Sequence, residues 1–342
     1  MSSPLIKAVS KLGFPWQTVD PFLFCVFHRD LYPAGNAKDM TAPVTGNGAD
    51  FDWSKPYRMY HGIDIPGFPA HPHRGFETVT CTVGGGNNAV VDHCDSKGNG
   101  ARYGSGDVQW LTAGAGIAHG ELFPLRNVDE PNHLKLFQIW LNLPRKDKMA
   151  DAAFVMHWAE DIQHAVDQKS SVTVWAGQHG AAKGLAPPPS SWASNADNDV
   201  AIFHIVLQPQ GSVTLAPARI GGAANRRLYL FEGASGVTIG GASAPVKNAF
   251  DVDAAQSAEL KNGGDTVAEF LMLQGRPIGE PVVARGPFVM NEASEIGDAY
   301  RDYAETRFGG WPWPSEAHVF PRENGRFTIV NGVETVPPTK NK

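Results

Sequence analysis

The first hint of chemistry in this chain is the distribution of its histidines. Five of the twelve, His61, His71, His73, His93 and His119, fall between residues 61 and 119. His71-Pro72-His73 sets two imidazoles at i and i+2, and in an extended chain these project from one face with their tips near enough to share an ion. Pro72 has no N–H to give a ladder, so the segment belongs at a strand start or a sheet edge. His119-Gly120-Glu121 repeats the spacing with one imidazole and one carboxylate. Paired across strands, the two dyads offer three nitrogens and one oxygen, and Gly114, Gly116 and Gly120 let the backbone bend around the second dyad. Such a donor set carries one negative charge and suits a borderline divalent ion: Fe, Mn, Ni, Cu or Zn. Four protein ligands leave two positions of an octahedral ion open to substrate and dioxygen. The three cysteines, Cys25, Cys81 and Cys94, show no CxxC spacing and read as reduced thiols. Cys81 lies in an apolar strand and reads as a small buried hydrophobe, not a ligand.

The elements that must position these residues are short. Phe76 to Val83, Asn88 to His93, Asp107 to Ala113 and Leu134 to Leu143 read as strands broken by Gly, Asn, Asp and Pro. After Pro144 the polar run Arg145-Lys146-Asp147-Lys148 reads as a linker. The second half repeats the grammar at Ser171 to Ala176, Val200 to Gln208, Ser212 to Leu215, Arg227 to Phe231, Gly236 to Gly240 and Thr266 to Gln274. Val79 to Gly85 and Leu228 to Ala234 share a pattern, which hints at a duplicated β unit. Regular short strands predict an all-β sandwich or barrel. One helix is expected near the end, capped by Asn291, with Ile296, Ala299, Tyr300, Tyr303 and Ala304 forming its apolar stripe. Beyond it, Phe308 to Pro314 is too aromatic for a solvated tail and should lie against a domain surface. The expected domains are 1–145, a metal-binding N-terminal unit; 146–285, a second β unit; and 286–342, the helix and tail packing back on them.

Composition narrows the function. The 342 residues carry 29 Lys and Arg against 35 Asp and Glu, a formal charge of −6, with no basic cluster, so direct grip on nucleic acid is not expected. No apolar run is long enough to span a bilayer, and the first residues do not read as a secretory signal, so a cytoplasmic protein without membrane contact is the expectation.

The residues around the dyads resemble a known family. Gly67-x3-His71-x-His73-x3-Glu77-x6-Gly84 is similar to the first cupin motif, and Gly106-Asp107 with Gly114-x-Gly116-x2-His119 to the second. More narrowly, Phe68 to Val79, Gly106 to Trp110, Thr112 to Gly114, Phe137 to Pro144 and Gly286 to Asn291 resemble pirin and its bacterial relatives over about residues 20 to 310. The resemblance implies a bicupin of two jelly-roll β-barrels with one mononuclear metal per chain, Fe(II) first among the candidates. It implies His71, His73, His119 and Glu121 as the ligands, and that Glu77 is not one. It further implies a metal-dependent dioxygenase of quercetin 2,3-dioxygenase type, acting on a small enolisable aromatic with dioxygen, in which Glu121 takes the enolic proton. The alternative is a non-catalytic iron redox sensor or transcriptional cofactor that works through a protein partner. Ala115 departs from the family, standing where an Arg is common. Glu77 could bond a ligand imidazole or simply be a strand-end carboxylate, His93 is a candidate extra pocket residue, and Trp110, Phe76 and Phe123 are candidate lining. In the second half, Ile220 and Gly222, or Arg219 and Gly221, stand where the histidine pair would be. That unit therefore reads as structural, and His157, His164, His179 and His204 as ordinary core or surface residues.

Overall fold

The computed structural model describes residues 4–42, 51–84 and 89–339. It is mostly β, with one α-helix, Ala293–Thr306, among the described residues. Among the described residues no helix is long and apolar enough to cross a membrane.

Two compact units emerge. The first comprises Phe27–Ile139, Leu143–Glu160 and Glu280–Lys342, and the second Met1–Val26, Trp140–Asn142 and Asp161–Gly279. The N-terminal segment thus belongs with the later half, where a cut near residue 145 assigns it to the earlier one. The cause is strand pairing: Ile6–Lys11 adds an antiparallel edge to Asn248–Val252, with Val9 opposite Phe250. The run Arg145 to Lys148, read from the sequence as a polar linker, forms a short 3-10 turn at Arg145–Asp147 and buries Lys148. Its Nζ donates to the carbonyls of Gly75 (2.7 Å) and Val289 (3.0 Å), and burial lowers its pKa to about 8.

In the first unit a six-stranded sheet runs in the order Val333–Thr335, Phe327–Val330, Gly100–Gly104, Val90–Asp95, Ile117–Leu122, Gly67–His73. A five-stranded sheet has the order Ala153–His157, Val108–Thr112, Phe76–Thr82, Asn132–Asn142, Phe22–Tyr32. Apolar residues from both, including Val91, Tyr103, Leu134 and Leu136, meet in one cluster, the packing expected of two facing sheets. The second unit does the same with a seven-stranded and a four-stranded sheet, its core built from Val174, Ile205, Leu228, Phe250 and Phe270 on one side and Leu215, Ile239 and Leu260 on the other. Pro72 lies in the last strand of the six-stranded sheet, the edge position its missing N–H requires.

The tail is part of the fold. Phe327–Val330 pairs with Gly100–Gly104, and Trp311, Trp313, Phe320 and Phe327 gather around Cys94. Arg102 holds Asp92 through Nε (2.6 Å) and Nη2 (2.7 Å), and the same guanidinium donates to the carbonyls of Phe320 and Pro321. The helix departs from expectation in two details. Glu292, not Asn291, caps it, with the Glu295 carboxylate accepting from the Glu292 N–H at 2.8 Å, while Asn291 donates to the Pro281 carbonyl. Its buried face is Ile296 and Ala299, set against Phe288, Met290 and Phe308, whereas Tyr300 is 48% exposed and Ala304 faces solvent. Ile296→Ala should therefore cost about 2 to 4 kcal/mol in urea unfolding, and Ala304→Ser no more than about 0.5; equal costs would contradict this packing.

Candidate metal centre

The centre is built by one antiparallel pairing. Gly67–His73 lies beside Ile117–Leu122 with His71 opposite His119 and Phe68 opposite Glu121. Three steps on the first strand match two on the second, so the Pro69-Ala70 stretch carries a bulge that re-aims the chain just before the histidine pair. On the other flank, Val90–Asp95 sets His93 opposite Glu121 and Asp95 opposite His119. Facing residues and i, i+2 neighbours share a face, so the two dyads and His93 project into the same interior. Gly67 sits at φ +127°, and a Cβ there would lie 2.3 Å from the Glu121 carbonyl oxygen. Gly116, at φ +139°, presses on the Phe308 ring, where a Cβ would come within 2.7 Å.

The result is a cluster of His71, His73 and His119 whose ligand nitrogens all lie within 4.8 Å of one another. The ring of His71 is 4.7 Å from that of His73 and 4.6 Å from that of His119. Burial lowers the pKa of His71 to about 4 and those of His73 and His119 well below the usual imidazole range, so all three are neutral donors at pH 7. His71 Nδ1 is 2.9 Å from the Pro69 carbonyl, which makes Nδ1 the protonated nitrogen and leaves the Nε2 lone pair to the centre. His119 is fully buried with no hydrogen bond at either ring nitrogen, an unsatisfied state that a bound ion would relieve. These residues fit a divalent transition metal.

Glu121 stands beside this trio. Its Oε2 is 3.9 Å from His119 Nε2 and accepts from Gln138 at 2.7 Å, while Oε1 accepts from Thr80 at 3.2 Å. Burial raises its pKa, and the charge of a protonated His93 together with those hydrogen bonds would pull it back. Glu77 joins neighbouring strands, accepting from Thr112 (2.7 Å) and Trp110 (3.2 Å). Of the candidate lining residues, Phe76 lies edge-on to His73 at 5.1 Å, Trp110 is fully buried beside Glu77, and Phe123 packs against Phe68 and Tyr60. His93 is wholly buried with neither ring nitrogen bonded and its ring 5.4 Å from that of His119. Cys81 is buried but outside the histidine cluster. Arg74 holds the Ala115 carbonyl at 2.6 Å and Asp302 at 2.8 Å, with its guanidinium over the Phe308 ring.

Sequence reasoning missed the aromatic group next to His71. The Phe68 ring lies 6.2 Å from its ring, and the rings of Phe51 and His61 lie 6.4 and 5.7 Å from that of Phe68. Only the i−3 position of Phe68 gave a signal; Phe51 is brought in by a loop that no periodicity marks.

Two β-sandwich units, one bringing three neutral histidines together on paired strands, define a bicupin. Residues 15–141 match the Pirin family model and residues 202–309 the Pirin C-terminal cupin domain. A pirin-like protein of Solanum lycopersicum is 35% identical over 240 residues, covering 69% of this chain and 75% of that protein. A Pseudomonas aeruginosa protein with a provisional quercetin 2,3-dioxygenase name is 35% identical over 246 residues, covering 70% and 80%. The crystal structure of a quercetin 2,3-dioxygenase from Acinetobacter baumannii superposes with a TM-score of 0.68 at 25% identity, covering 90% of this chain and 98% of that one. The chain belongs to the pirin family.

One histidine cluster predicts one metal per chain. Metal analysis by mass spectrometry should give about one equivalent, reduced at least tenfold by His71→Ala with His73→Ala, and two equivalents would contradict the site.

Proposed function

We infer that the protein is a metal-dependent dioxygenase of quercetin 2,3-dioxygenase type, acting on a flat, enolisable aromatic. The observation that carries this reading is a buried carboxylate, Glu121, set beside three neutral imidazoles that can hold a metal without balancing all of its charge. His71, His73 and His119 would hold the ion, Fe(II) by preference, with Glu121 as fourth ligand or as base beside it. A bound divalent ion supplies Lewis acidity toward an enolic oxygen and electron transfer toward dioxygen.

The chain's own residues do the rest. Burial makes the Glu121 carboxylate a stronger base than an exposed one, and Thr80 and Gln138 fix its oxygens so that one can take the substrate's enolic proton. As the proton reaches Glu121 the substrate becomes an enolate, the electron-rich form that reacts with oxygen. Phe68 and Phe51 offer faces and edges for a planar ring beside His71. Phe76, at the edge of His73, keeps water from the inner side.

Glu121→Gln preserves shape and removes the basic site. Oxygen-electrode and absorbance assays with flavonols should show turnover reduced by about 10²-fold or more while metal content persists. Full turnover in a metal-loaded Glu121→Gln protein would overturn the assignment of the base. A metal-loaded wild type that consumes no oxygen with any flavonol or enolisable phenol would overturn the enzymatic reading and leave the redox-sensor alternative.

A further inference from the structure

The second unit contains a cavity of about 740 Å³ at one end of its sandwich, in the size range of small-molecule sites. Apolar walls come from Phe203, Leu215 and Met272, and Arg226 and Gln274 line it as well. The guanidinium of Arg226 is the unusual feature, because the residue is only 5% exposed. Its Nε donates to Gln274 Oε1 at 2.7 Å and its Nη2 to the Ala216 carbonyl at 2.8 Å. Its Nη1 is buried without a hydrogen-bond partner, and among the described residues no carboxylate forms an ion pair with it. Asp199 also lines the cavity, but its Oδ2 accepts from the Ile220 N–H at 3.2 Å. Burial lowers the Arg226 pKa to about 10, with Asp199 offsetting part of the effect, so the group is charged at neutral pH.

A buried cation with a free donor and no carboxylate bonded to it is a costly arrangement that an anionic ligand would relieve. Phe203, Leu215 and Met272 give the cavity one apolar side, and the space far exceeds a bare ion, so the matching ligand has an apolar body and one carboxylate, which a guanidinium can hold through paired N–H donors. Arg219, one of the positions that aligns with the histidine pair of the other unit, lies on the same cavity. We propose that this cavity binds a small amphipathic carboxylic acid, its carboxylate on Arg226 and its apolar part against Phe203 and Met272. The unit read from sequence as structural thus carries a binding site of its own.

The test is calorimetric titration of the full chain, stripped of metal by a chelator, with 2-naphthoate and with the uncharged 2-naphthamide. Because no metal is present, the outcome is independent of the oxygenase reading. One naphthoate per chain should bind at least tenfold more tightly than the amide. Arg226→Met should weaken naphthoate at least tenfold, and so should Ala216→Trp, which narrows the rim from an exposed position and guards against a folding defect at the buried arginine. Absence of naphthoate binding, equal affinity for acid and amide, or undiminished binding in both variants overturns the proposal. Displacement of naphthoate by inorganic phosphate as readily as by benzoate overturns the assigned ligand class.

Discussion

The candidate metal centre depends on the register between Gly67–His73 and Ile117–Leu122. With His71 opposite His119, i, i+2 alternation turns all four donor candidates inward; a one-residue slip of either strand would turn its pair to the opposite face. Several otherwise unrelated features defend that register. The bulge at Pro69-Ala70 absorbs the extra residue, and Gly67 admits the Glu121 backbone where a side chain could not fit. The Phe308 ring closes on Gly116, and Arg74 clasps the turn at Ala115 from the other strand. The C-terminal helix therefore does more than cover apolar surface, since its end supplies the ring that fixes the approach to His119.

Burial then sets the chemistry. Removing three imidazoles from water disfavours their cationic forms, so the geometry that gathers them also keeps their lone pairs available. It leaves His119 with two unbonded nitrogens, each an expense of about 1 to 3 kcal/mol in a protein interior. Glu121 shows the opposite design, a buried carboxylate whose two oxygens are held by Thr80 and Gln138. A dication among neutral nitrogens and beside a tethered carboxylate would relieve both costs at once.

Much of this was legible in the sequence, and the reason is local. The i, i+2 spacing of His71 with His73 and of His119 with Glu121 states a common face without reference to the rest of the chain, and Pro72 states an edge. Strand positions were similarly readable: Ser212–Leu215 falls where its alternation puts it, and Val200 to Gln208 differs from the observed Ala201–Leu207 only at its ends. What was not legible is what distant chain contributes. Nothing local tells that Ile6–Lys11 joins a sheet in the other half, that Lys148 leaves a polar run to bind two carbonyls, or that Phe51 meets Phe68. The helix shows both sides: its period was plain, but which part of the stripe is covered depended on where Phe288 and Phe308 lie, and so Tyr300 is left half in water.

The two units pose opposite electrostatic problems within one architecture. In the first, buried bases have been made neutral and can take a cation, and the cost of burial falls on imidazoles whose ordinary pKa, near 6.5, lets them give up their protons when buried. In the second, the buried group is a guanidinium, which keeps its charge at every physiological pH and so cannot escape the same cost by titrating. Its hydrogen bonds to Gln274 and Ala216 satisfy donors but bring no negative charge. Nor do the surrounding walls collapse onto it, although close packing is the rule in protein interiors and an open volume forfeits dispersion contacts. A charge that cannot be shed beside a space that is not filled is the second unit's counterpart to the unbonded nitrogens of the first, and it reverses the sign of the ligand each can accept.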